Sequence, residues 1–150
     1  MRIHVTLLLA VSLVGPGASA RNLLTSPDFD VATDVDDWPD PFPDPNTTIG
    51  WQSDLDVDAS PSSGSLRLET SISNGSADGP RQCVDSGAGF YEVEAWSFNP
   101  TQSPQPLTYV AVDYFPGAGC SGPLLGSDSQ FAPSTFDAWV LAEDLVEAPS

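Results

Sequence analysis

Turn punctuation constrains this chain more than any other feature. There are 15 prolines and 12 glycines in 150 residues, and turn signals fall at Pro61 to Gly64, Asn74-Gly75, Asp78-Gly79-Pro80, Asn99-Pro100, Pro116-Gly117, Ser121-Gly122-Pro123 and Ala132-Pro133. Proline lacks the amide hydrogen that a helix interior or a central strand needs, so uninterrupted elements must be short. The densest stretch, DDWPDPFPDPN from Asp36 to Asn46, carries four prolines in eleven residues and reads as an acidic loop or edge segment.

The runs between these turns have strand character. Gly64 to Ser73 alternates Leu66, Leu68, Thr70 and Ile72 with Arg67, Glu69 and Ser71, the period-two pattern of a half-buried strand. Phe90 to Phe98 and Leu107 to Phe115 are longer and rich in aromatic and β-branched residues. A short strand is expected around Cys83 (Pro80 to Asp85), and another begins at Ala138 to Leu141. Helical amphipathicity competes only over Thr135 to Val146. Short strands with turns about every 8 to 12 residues predict an all-β fold, an antiparallel β-sandwich.

The first twenty residues read as a secretory signal peptide. Arg2 precedes an apolar stretch from Val5 to Val14, Gly15-Pro16-Gly17 interrupts it, and Ala18-Ser19-Ala20 supplies the small residues that signal peptidase accepts. The apolar run is about half of the roughly 20 residues a membrane span needs, so membrane insertion is not expected. This assigns residues 1–20 to the leader and 21–150 to one domain, exported to the periplasm or beyond the cell. Export also suits Cys83 and Cys120, the only two cysteines, which are expected to form a disulfide.

Charge excludes several function classes. The whole chain carries a formal charge of −17; beyond the leader there is neither Lys nor His, and Arg21, Arg67 and Arg81 face 21 acidic residues. Nucleic acids and anionic membranes need basic side chains, so the expected partners are neutral ligands or divalent cations. Serine and cysteine nucleophiles would lack their usual histidine base. A catalyst would have to rest on carboxylates. Glu92 and Glu94, about 7 Å apart along a strand, fall in the range of inverting glycosidases. Nothing in the sequence encloses them, and a non-catalytic protein is the expectation.

Short motifs occur in an order that carries a resemblance. NLLTSPDFD (Asn22 to Asp30), Trp38, SPSSGSLRLE (Ser60 to Glu69), RQCV (Arg81 to Val84), GFYEVEAW (Gly89 to Trp96), a strand ending in DYF before Cys120-Ser121-Gly122, and FDAW (Phe136 to Trp139) follow one another. Together they resemble an exported bacterial family akin to CenC-type carbohydrate-binding modules, over essentially all of residues 22–150. The resemblance implies a galactose-binding-domain-like jelly roll that engages a neutral polysaccharide or other glycan. It also implies one or two further closing strands after Ser150, and a structural calcium near an N-terminal strand, with Asp28 and Asp30 as ligands.

Two groups of residues are candidates for a site. On a strand from Phe90 to Phe98, Tyr91, Val93, Ala95 and Ser97 share one face, leaving Glu94 and Trp96 on the other with Phe90, Glu92 and Phe98. On the next strand Val110, Val112 and Tyr114 face the core, and Tyr109, Ala111, Asp113 and Phe115 face out. Glu94, Trp96, Tyr109 and Asp113 are therefore the expected ligand contacts, rings for the C–H faces of a sugar and carboxylates for its hydroxyls. Asp54, Asp56 and Asp58 have the spacing of an EF-hand opening, but Ala59 stands where the sharp turn needs glycine and Ser65 where a bidentate Glu belongs. They are a weaker calcium set and read first as an acidic connection between strands.

Overall fold

The computed structural model describes residues 3–13, 22–39, 45, 47–60, 62–70, 79–100, 109–133 and 135–149. It is built of antiparallel strands: β1 (Ile3–Leu13), β2 (Thr47–Gln52), β3 (Ser65–Thr70), β4 (Gly89–Phe98), β5 (Tyr109–Tyr114), β6 (Gly126–Phe131) and β7 (Trp139–Ala148), with one short 3-10 helix, Ala32–Asp37. Five strands form a sheet in the order β2-β3-β1-β4-β7, and β5 and β6 form a separate two-stranded ribbon. The all-β, antiparallel expectation holds.

Several local expectations need correction. Residues 80–85 run without strand pairing; Pro80 has no amide hydrogen to donate, and Cys83 is held by its disulfide instead. Residues 23–31 form bends and turns rather than an N-terminal strand. Thr135 to Val146 contributes to β7 and to no helix. The β3 assignment begins one residue later than expected, and Ser71 to Ser73 lie outside the described residues, as do Leu107 and Thr108. The Asp36 to Asn46 loop is described only in part: the 3-10 helix ends at Asp37, Trp38 is buried, and residues 40–44 and 46 are not described.

Two strands escaped the sequence reading for a shared reason. β2 (TTIGWQ) has Gly50 at its centre and β6 (GSDSQF) is mostly small and polar, so both read as loops. β1 is a different case. Its odd positions, Ile3, Val5, Leu7, Leu9, Val11 and Leu13, are all apolar, so the run that suits an export leader also fits a strand.

Among the described residues two clusters make the core. Tyr91, Val93 and Ala95 of β4 and Ala142 and Val146 of β7 pack with Val110 of β5 and with Ala132, which joins the ribbon to one face of the large sheet. Phe29, Trp38 and Leu66 form a second cluster, with Leu24, Val35, Ile49 and Trp51 against it. Phe29 and Trp38 stack at a tilt with centroids 5.6 Å apart. Trp51 donates its indole N–H to the Phe29 carbonyl (2.8 Å), and Trp38 donates to that of Ser26 (3.2 Å). The NLLTSPDFD stretch thus spans both cores, since Leu23 packs on the first and Leu24 on the second.

Candidate functional site

The four expected contacts lie on two different sheets. Glu94 and Trp96 belong to β4, Tyr109 and Asp113 to β5, and no strand pairing joins these two. Sequence alone left their adjacency open: β4 pairs with β1 and β7, and the ribbon packs on the face of β4 opposite to Glu94 and Trp96.

On β4 the alternation is as read from sequence, with Tyr91, Val93, Ala95 and Ser97 buried and Glu92, Glu94, Trp96 and Phe98 less so. Register places Glu94 opposite Glu143, Trp96 opposite Leu141, and Phe98 opposite Trp139 of β7. The Phe98 and Trp139 rings lie 5.6 Å apart. Two carboxylates directly opposed across a ladder repel, so this face joins aromatic surface to concentrated negative charge.

The face of the ribbon that carries Tyr109 and Asp113 is composed differently. Register sets Tyr109 against Phe131, Ala111 against Ser129, and Asp113 against Ser127. Tyr109 is 38% and Phe131 56% exposed, and their rings stand 5.7 Å apart at 54°. Asp113 accepts a hydrogen bond from the Ser127 hydroxyl (2.6 Å) and one from Arg81 Nη1 (3.4 Å). Val110 on the alternate face is buried and Val112 packs beside it, which fixes the direction of the odd-numbered side chains. At the inner end of β5, Tyr114 donates to Asp128 (2.8 Å). Burial first, then this bond and the charges of Asp128 and Asp144, push its phenol well above the ordinary value, so it stays a neutral donor.

The segment before β4 anchors this ribbon. Cys83 and Cys120 are joined, with Cα atoms 5.8 Å apart. Asp85 accepts the Gly119 amide (3.0 Å), and Gly117 and Ser121 exchange backbone hydrogen bonds in the tight turn between them. Arg81 is therefore carried to Asp113 by a covalent tether two residues away. An open hollow along β5 is bordered by Leu68, Tyr91, Tyr109, Asp113 and Arg81.

Sequence reasoning missed Phe131, Ser127 and Arg81. Phe131 and Ser127 sit in a run whose serines masked its period-two spacing, and the Arg81 contact with Asp113 spans 32 residues, which no local pattern encodes.

The carboxylates proposed for calcium lie elsewhere. Asp54 accepts from the Gln52 side chain (2.8 Å), and Asp56 accepts from the Ser60 amide (2.7 Å), so both serve the turns after β2. Asp28 and Asp30 are exposed, near Asp34 and Asp58. Partial burial, then the charges of Asp30, Asp34 and Asp58, raise the Asp28 carboxyl above its usual 3.8. Charges from far apart in the sequence, Asp30 and Asp34 on one side and Asp58 on the other, thus act on the one carboxyl of Asp28. Among the described residues no three His, Cys, Asp or Glu side chains converge as a metal site.

No protein-family model, curated protein or solved structure matches the chain.

Proposed function

We propose that the protein is an exported, non-catalytic β-sheet module that binds a neutral glycan on the Tyr109–Asp113 face of the β5–β6 ribbon. The observation that carries this reading is the exposed Tyr109–Phe131 ring pair lying on the same face as Asp113, Ser127 and Arg81. Exposed paired rings are uncommon on a surface without a ligand, and they suit the apolar C–H faces of a pyranose. Asp113, Ser127 and Arg81 offer acceptors and donors for hydroxyls about 13 Å along the strand from Tyr109, the span of a short oligosaccharide. The order of motifs resembling CenC-type carbohydrate-binding modules points to the same ligand class and to a jelly-roll arrangement of the strands. Export is supported by the leader pattern through Ala20 and by the Cys83–Cys120 bridge, which an oxidising compartment maintains. No helix among the described residues is long and apolar enough to cross a membrane.

A glycan array probed with the protein tests the reading. Binding is expected, and Tyr109→Ala or Phe131→Ala should weaken it by about tenfold or more, roughly 1.4 kcal/mol, with the circular dichroism unchanged. Trp96→Ala, on the other face, should leave affinity intact; loss of binding in that variant alone would move the site to β4 and β7. Absence of binding to any glycan, with or without calcium, would favour a second reading, a structural β-sheet protein whose acidic corner around Asp28 is stabilised by a divalent cation.

A further inference from the structure

β1 holds an unusual position for a segment with the pattern of an export leader. It lies inside the five-stranded sheet, antiparallel to both neighbours, so that β3 and β4 run parallel with one strand between them. Its pairing is staggered. Ile3 to Leu7 pair with β3 and Thr6 to Leu13 pair with β4, overlapping only at Thr6 and Leu7. β3 and β4 are not themselves paired. Without β1 the sheet divides into β2–β3 and β4–β7, leaving two facing strand edges whose backbone donors and acceptors need a partner.

We propose that the slot between β3 and β4 is a strand-binding site. Residues 3–13 fill it in the unprocessed chain, and after processing it takes an extended segment of another polypeptide by β-augmentation. Register states the chemistry of that segment. Its odd positions stand opposite Leu68 and Leu66 of β3 and Ser97, Ala95, Val93 and Tyr91 of β4, all of them buried. Apolar residues are required there, and a one-residue slip would present the wrong set. Its even positions stand opposite Glu69, Arg67, Phe98, Trp96, Glu94 and Glu92. Three of those six are carboxylates, so neutral or basic residues fit and acidic ones are repelled. The partner is thus an amphipathic strand, apolar at every second residue and neutral to basic between.

The second half of the inference rests on the export reading, and its tests are separable from it. In the full chain, cysteine pairs at Thr6 with Arg67 and at Ala10 with Glu94 occupy register partners and should form disulfides on oxidation, mapped by mass spectrometry, whereas Val11 with Glu94, one residue out of register, should not. The full chain with a protease site placed between residues 14 and 20 is then cut. The N-terminal fragment should stay bound and exchange with a labelled peptide of residues 3–13, while a peptide with its odd and even residues interchanged should compete at least about tenfold more weakly. Loss of β-sheet circular dichroism on removing the fragment would also support a slot that must be filled. Failure of both in-register cross-links would overturn the proposal. So would release of the fragment from a body whose spectrum is unchanged, or equal competition by the two peptides. N-terminal sequencing of the exported protein reports processing alone.

Discussion

A Cβ built at Gly64 would stand 2.5 Å from the Gln52 carbonyl oxygen and 2.6 Å from Trp51 Nε1. Gly64 was expected to ease a turn, yet its backbone is not in the left-handed region; what it provides is closeness. Its amide donates to the Phe29 carbonyl (3.2 Å), the oxygen that also receives the Trp51 indole. Gly64→Ala should therefore push β2 from β3 and cost about 2 kcal/mol, read as a lower urea midpoint. Asp28 offers the opposite sign. Because its folded carboxyl titrates above 3.8, its charge opposes folding at neutral pH, and that penalty fades as pH falls through the raised value. Asp28→Asn should stabilise at pH 7 by about 0.5 kcal/mol after discounting for solvent screening, with the gain gone below the unfolded carboxyl value. Urea melts of both proteins across that range check it; a gain that persists in acid would assign the effect to something other than charge.

Among the elements, the β5–β6 ribbon depends most on distant help. It has two strands, too few for stability alone, and it is held by Val110 and Ala132 in the core and by the bridge from Cys83 to Cys120. The bridge closes a separation of 37 residues, which the chain-entropy account values at about 3 to 4 kcal/mol. Reduction should lower the melting temperature, and weaken glycan binding before the β-sheet circular dichroism is lost, because the tether places Arg81 beside Asp113. Glycan affinity that survives reduction unchanged would remove Arg81 from the site. The legibility of the elements follows the same physics. β3, β4 and β5 were readable because one face of each is buried and the other less so, which prints a period of two on the sequence. β2 and β6 were not: an edge strand and a ribbon strand with little burial need no such alternation. Tyr109 and Asp113, like Glu94 and Trp96, could be set on strand faces residue by residue, but their separation onto two sheets depends on strand order, which no alternation records.

Across the molecule the described residues gather into two cores on the strands that flank β1, one around Val93 and Val110 and the other around Phe29, Trp38 and Leu66. Alternation along the strands marks Val93, Val110 and Leu66, but no local pattern marks Phe29 or Trp38 as core or places an N-terminal segment between the two. The same eleven residues satisfy two descriptions, and the difference is one of time. An export receptor must grip a leader that is unpaired and accessible, and a strand hydrogen-bonded on both edges is neither. Under the export proposed above, targeting and folding would compete for one segment: a molecule that closed its sheet first would withdraw its own address, so delivery would depend on the receptor arriving before the fold does.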